Sequence, residues 1–132
     1  MRLLLAEDNA TNVELFLAAL ETDGNEVTVE RDGLSARERA LQETFDLIVL
    51  DIQMPLLDGN ALCAELRIAG IQGPIIALSA SALPSDVTRG TTAGFDTYLT
   101  KPIRPADLRA AVRRFQPPAG EPPRVDPSAR RP

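Results

Sequence analysis

Residues 47–55 read LIVLDIQMP. Leu47 to Leu50 form an unbroken apolar run that ends in Asp51, with Met54-Pro55 close behind. A short apolar run bounded by turn residues reads as a strand covered on both faces, the pattern of a parallel sheet rather than of a half-exposed one. A carboxylate at the end of such a strand is costly unless something compensates its charge. Asp51 is therefore expected to be compensated, useful, or both.

The rest of the chain alternates strand-like and helix-like segments. Upstream, RLLLAED (2–8) is a second apolar run ending in acid. NATNVELFLAALETDG (9–24) places apolar residues at 13, 16, 17 and 20, a helical spacing. Asn9 or Thr11 can cap it, Thr11 through a capping box with Glu14, and Gly24 suits its end. NEVTVERD (25–32) alternates, with Val27 and Val29 on one face, and GLSARERALQET (33–44) is helical with apolar residues at 34, 36, 40 and 41. Downstream, GNALCAELRIAG (59–70) is a helix and GPIIALSA (73–80) a buried strand. LPSDVTRGTTAGF (83–95) is a weak helix, because Gly90, Thr91 and Thr92 lower its propensity. That weakness predicts local lability over 84–94. DTYLT (96–100) is a strand, and RPADLRAAVRRF (104–115) is a helix with Pro105 in its first turn and an apolar stripe at 108, 111, 112 and 115. Five βα units of this kind imply an α/β fold: a parallel sheet with helices on both faces.

Composition bounds the chemistry. The 132 residues suit one domain with a real core. Residues 117–132, PPAGEPPRVDPSARRP, hold six of the eleven prolines and little that is apolar, so a folded domain over 1–116 and a disordered tail over 117–132 are expected. Net charge is −5, and −6 on residues 1–116 once the tail's three arginines and two acids are removed. This disfavours sequence-independent binding to nucleic acid or to an anionic membrane. MRLLLA (1–6) is too short an apolar stretch for a signal peptide and runs into Glu7-Asp8, so a cytoplasmic location is expected. The single cysteine, Cys63, excludes an intramolecular disulfide and reads as a packing residue, and there is no histidine.

In an open parallel sheet the ligand site lies beyond the carboxyl ends of the strands. That rule gathers Glu7-Asp8, Asp51, Ser79 and, past Tyr98, Lys101-Pro102 on one rim. Three clustered carboxylates repel one another, and a divalent cation relieves the repulsion. Oxygen-only ligands suit Mg²⁺, or Mn²⁺. A cation, an ammonium and a hydroxyl donor together suit a phosphoryl group, and Asp51 is the expected nucleophile.

AEDN, LIVLDIQMPLLDG, IIALSA and YLTKPI, taken in order and spacing, resemble the receiver domain of two-component response regulators, over residues 2–115. The resemblance implies a five-stranded parallel sheet of order 2-1-3-4-5, a flavodoxin-like (βα)5 fold. It implies that Asp51 accepts a phosphoryl group from the phosphohistidine of a sensor histidine kinase or histidine phosphotransfer protein. Asp8, Asp51, the Gln53 carbonyl and Glu7 are then the Mg²⁺ ligands. Ser79 and Lys101 contact the phosphoryl oxygens, Ser79 and Tyr98 form the switch, and the peptide before Pro102 is cis. Gln53 and Ser81 flank the path of the hydrolytic water and tune dephosphorylation. The chain departs from the pattern where Glu7 stands in place of Asp and Ser79 in place of Thr, which drops the methyl that restricts the rotamer. The EDNxxN start and GFDTYLTKPI ending look most like hybrid-kinase receivers and single-domain regulators.

Two other readings compete: an aspartyl-phosphate phosphohydrolase, and a receiver that never takes phosphate. The first expects a second acid two residues after the nucleophile, where this chain has Gln53. The second leaves five site residues in place without purpose. Arg109 and Arg113, four apart on the last helix with Arg104 and Arg114 nearby, are a basic patch on an acidic domain. They predict an ionic docking surface for an acidic partner or for a weak homodimer.

Overall fold

The structure, a computed structural model, describes residues 1–116. The tail expected to be disordered, 117–132, lies outside the described residues. The elements alternate without exception: β1 (Arg2–Ala6), α1 (Ala10–Thr22), β2 (Glu26–Glu30), α2 (Gly33–Gln42), β3 (Leu47–Asp51), α3 (Gly59–Ile68), β4 (Ile75–Ser79), α4 (Pro84–Ala93), β5 (Thr97–Thr100) and α5 (Pro105–Arg113). All strand pairs are parallel, in the order β2-β1-β3-β4-β5.

The apolar runs explain why the sheet is covered on both sides. Side chains alternate across a strand, so Leu3, Leu5, Leu47, Val49, Ile76 and Leu78 face one way, toward Phe16 and Leu20 of α1 and Leu108 and Val112 of α5. Leu4, Ala6, Ile48, Leu50, Ile75 and Ala77 face the other, toward Ala36 and Ala40 of α2 and Leu62, Cys63 and Leu66 of α3. Val27 and Val29 pack on the α1/α5 side, as their alternation predicts. Cys63 is fully buried, and burial pushes its thiol up to about 11, so it is a packing residue.

Three helix starts have side-chain caps. Asn9 accepts from the Asn12 N–H, Asp32 from Ser35 and Asp58 from Ala61. Helix α1 therefore begins earlier than a Thr11–Glu14 box would allow: Asn9 takes the cap and Thr11 lies inside the helix. The α2 stripe is also narrower than its sequence suggests. Leu34 and Leu41 are exposed, and the helix sits on Gly33, Ala36 and Ala40. The contact is close because those residues are small: a Cβ on Gly33 would meet the Leu57 carbonyl. Gly59 serves β3 in the same way, since a Cβ there would lie 2.5 Å from the Asp51 carbonyl oxygen. The start of α3 is thus drawn against the end of the strand that carries Asp51.

Candidate functional site

Glu7 comes directly after β1 and continues its pairing by donating its N–H to the Glu30 carbonyl at 3.1 Å. Its side chain is fully buried, Asp51 is 2% exposed, and Asp8, at the rim, is exposed. Each of the three offers a carboxylate oxygen within 4.8 Å of the others. They meet because β1 and β3 are neighbours in register, Ala6 opposite Leu50.

One cation stands among them. Lys101, just beyond β5, donates to Asp51 Oδ2 at 2.7 Å and to Glu7 Oε1 at 3.1 Å. Burial pulls the Lys101 ammonium down, but its bonds to the two carboxylates outweigh this and raise it above the ordinary lysine range. The Glu7 carboxyl is pushed up to about 7, first by burial, then by its hydrogen bond with Asp51 and the Asp51 charge; Lys101 and the Asn9 N–H oppose the rise. The Gln53 N–H donates to Asp51 Oδ1 at 3.0 Å. The Lys101–Pro102 peptide is cis, as the resemblance implies.

The far wall of the rim carries the hydroxyls. Ser79 ends β4, buried, and its Oγ accepts from the Ser81 N–H at 3.1 Å. Its carbonyl accepts from the Lys101 N–H. Tyr98 is half-buried with its ring turned toward α4, and its hydroxyl donates to the Ser81 carbonyl at 3.0 Å. A Cβ at Gly90 would lie 2.9 Å from the ring, so the glycine that weakens α4 also seats Tyr98.

The structure thus brings Glu7, Asp8, Asp51, Ser79 and Lys101 to one edge, with Gln53, Ser81 and Tyr98 bordering them. It also gives the arginines of the basic patch acidic neighbours within the chain. Arg109 grips Asp23 through Nε at 3.2 Å and one terminal nitrogen at 2.8 Å, and Arg113 adds a bond of 3.0 Å. Arg104 pairs with Asp107. The end of α1 delivers Asp23 between the two α5 residues, so one carboxylate faces two guanidinium groups and Arg113 keeps about half its side-chain exposure.

Spacing and motif assign no role to two further residues of the site. Asn12 donates its side-chain amide to Glu7 Oε1 at 3.2 Å, and Arg31 donates to the Asp8 carbonyl at 2.8 Å. Asn12 sits in the EDNxxN run, but only the turn from β1 into α1 shows that it reaches Glu7.

The donor set fits a small hard cation. Three carboxylates offer oxygens to a common point, and among the described residues a single ammonium stands against them, which leaves a surplus of negative charge. A doubly wound 2-1-3-4-5 sheet with an acidic rim at its carboxyl edge defines the class: a module that binds an ion or ligand where the strands end. The chain belongs to the response regulator receiver domain family, whose model matches residues 3–113. It is a phosphoacceptor signalling module of two-component systems, a family that takes phosphoryl groups from histidine kinases and binds Mg²⁺ at an acidic site.

Among its relatives, the chain is 42% identical over 108 residues to the peroxide stress-activated histidine kinase mak1 of Schizosaccharomyces pombe, covering 76% of this chain and 7% of that one. It is 37% identical to the alkaline phosphatase synthesis transcriptional regulatory protein PhoP of Bacillus subtilis, covering 85% of this chain and 47% of that one. The chain therefore spans at most about half the length of these relatives. A sensor histidine kinase receiver domain of Pseudomonas aeruginosa, solved with a magnesium ion coordinated in the active site cleft, superposes with a TM-score of 0.79 at 37% identity, over 86% of this chain and 95% of that one. Among the described residues no helix is long and apolar enough to cross a membrane.

Proposed function

We propose that Asp51 is the phosphoacceptor and that the rim around it performs both the transfer and the later hydrolysis. A carboxylate oxygen of Asp51 attacks the phosphorus of a partner's phosphohistidine. The O–P bond forms as the N–P bond breaks, and the electron pair returns to the imidazole nitrogen, which takes up a proton. Lys101, already 2.7 Å from Asp51, balances charge on the transferred group. Ser79 can donate its own hydrogen to a phosphoryl oxygen while its Oγ keeps the bond from Ser81. Glu7, Asp8, Asp51 and the Gln53 carbonyl would hold Mg²⁺, or Mn²⁺, which when bound neutralises the phosphoryl oxygens. Hydrolysis returns the carboxylate and releases inorganic phosphate, with Gln53 and Ser81 bordering the approach of water. The phosphodonor is a sensor histidine kinase or a histidine phosphotransfer protein. The module acts in the cytoplasm, and a downstream protein reads its state.

One observation carries this reading: three carboxylates and one ammonium from β1, β3 and β5 converge on the end of the central strand. Intact mass after incubation with acetyl phosphate tests it. Wild type with Mg²⁺ gains one phosphoryl adduct, while wild type with chelator and Asp51→Asn gain none. An adduct of equal yield on Asp51→Asn overturns it.

A further inference from the structure

Ser79 reaches the rim from a strand end, but the residues after it have no regular structure. Residues 80–83 link β4 to α4, and the α4 N-cap, Leu83, has no side-chain acceptor for the helix's first N–H groups. Pro84 then supplies no N–H at all. Left so, the loop would have little to hold it.

Ser81 holds it. Its N–H donates to Ser79 Oγ at 3.1 Å, its carbonyl accepts from the Tyr98 hydroxyl at 3.0 Å, and its own Oγ accepts from the Leu83 N–H at 3.2 Å. Ser81 Oγ in turn donates to Asp86 Oδ2 at 2.5 Å, a short, charge-assisted bond. Asp86 lies in the first turn of α4, where it also faces Arg89 at 3.6 Å. The chain of bonds runs from α4 through one serine to both the phosphoryl hydroxyl and the switch tyrosine.

We propose that Asp86 is a positioning residue: by fixing Ser81 it sets where the Ser79 hydroxyl and the Tyr98 ring stand relative to the rim. This rests on the phosphoacceptor reading, because Ser79 is positioned for a phosphoryl oxygen. The competing role for Asp86 is that of an acid at a helix N-terminus, favoured by the helix dipole alone. The two differ in what they require. The dipole needs a charge; the positioning role needs an oxygen that accepts from Ser81. Ser81 accordingly acts on phosphoryl lifetime through loop geometry, since its hydroxyl is already engaged on the α4 side.

The test uses the full chain with beryllofluoride and Mg²⁺ as the phosphoryl mimic, followed by calorimetry, and amide hydrogen exchange over residues 80–83 without metal. Asp86→Ala weakens beryllofluoride binding about fivefold, the worth of one lost hydrogen bond, and speeds exchange in the loop. Asp86→Asn removes the charge but keeps a neutral acceptor, and falls between wild type and Asp86→Ala on both readouts. Ser81→Ala, which breaks the same bond from its other end, behaves like Asp86→Ala. Equal affinity and equal exchange in wild type and Asp86→Ala overturn the proposal and leave Asp86 a helix-end acid. So does an Asp86→Asn as impaired as Asp86→Ala. Failure of wild type itself to bind beryllofluoride overturns both this inference and the phosphoacceptor reading, whereas binding by wild type and Asp86→Ala alike overturns this inference only.

Discussion

Two charge clusters among the described residues are near mirror images. At the rim, one ammonium, Lys101, stands between two carboxylates, Glu7 and Asp51. Where α1 ends, one carboxylate, Asp23, stands between two guanidinium groups, Arg109 and Arg113. Distances are alike in the two, from 2.7 to 3.2 Å. Burial is not: Glu7 and Asp51 are shut away from water, while Arg113 keeps about half its side-chain exposure. In the exposed cluster water absorbs the surplus charge, and Asp23 is held down to about 2, chiefly by its hydrogen bonds to Arg109 and Arg113. In the buried cluster burial first, then the hydrogen bond and the charge of Asp51, drive Glu7 up to about 7. Burying an excess of one sign stores a demand for a counter-ion. Exposing it leaves a clasp.

The contrast meets its severest test in the response of stability to pH. In metal-free protein the folded Glu7 carboxyl holds its proton up to about 7, against about 4.5 for the free side chain. A raised carboxyl pKa means that the folded state binds the extra proton between those values. Its stabilising effect is complete below about 4.5 and is lost as pH rises toward about 7. Denaturant unfolding with chelator should therefore show stability falling over that window, by on the order of 2 kcal/mol, and saturating Mg²⁺ should offset the fall at the upper end. A flat metal-free profile between about pH 4.5 and about pH 7 would mean that the buried surplus is already neutralised from within.

A more modest change bears on the same point. Glu7→Gln removes one buried negative charge and keeps an oxygen that can accept from Lys101. At about pH 8 without metal it should be more stable than wild type by about 1 kcal/mol, because only one buried carboxylate, Asp51, then faces the ammonium, Asp8 being exposed. With Mg²⁺ the order should reverse, since the variant has lost a ligand. Chemical denaturation of both proteins, with chelator and then with Mg²⁺, reads the sign directly. A variant less stable than wild type in both conditions would assign Glu7 to packing rather than to charge.

The sequence shows the buried cluster more readily than the exposed one, for a physical reason. Strand ends in a parallel sheet share one edge, so Glu7, Asp8, Asp51, Ser79 and Lys101 can be brought together from element order alone. The apolar runs of β3 and β4 mark the sheet's interior equally well. The Asp23 clasp depends on how α1 lies against α5, and Asp23 is 86 residues from Arg109. Nothing in the spacing of Arg109 and Arg113 reveals that pairing, so they read as a free patch. Helix α4 is legible as a weak helix, but the reason for its glycine is not. Gly90 reads as a loss of helix propensity, and only the fold shows it buried against the Tyr98 ring. On α2, Leu34 and Leu41 match a helical period yet are exposed, because the sheet accepts only the small face formed by Ala36 and Ala40.

The slightest change is expected at the clasp, and it tests whether exposure alone accounts for the contrast. Arg113→Gln removes the more exposed arm on Asp23 and leaves the two bonds that Arg109 makes. Exposed ion pairs are weakened by solvent and salt, and one arm of a doubly held carboxylate contributes little. The thermal midpoint at neutral pH should move by no more than about 2 °C, and that small shift should vanish in about 1 M salt. The pH sign is opposite to that at the rim. Asp23 is lowered from 3.8 to about 2, so the clasp contributes above about 3.8 and is lost as pH falls toward about 2. A wild type and an Arg113→Gln that converge in midpoint at about pH 2, while differing slightly at neutral pH, carry that signature. A large, salt-resistant loss at neutral pH would show that the α1–α5 seam shields the clasp from water, and that burial at the rim is not what distinguishes the two clusters.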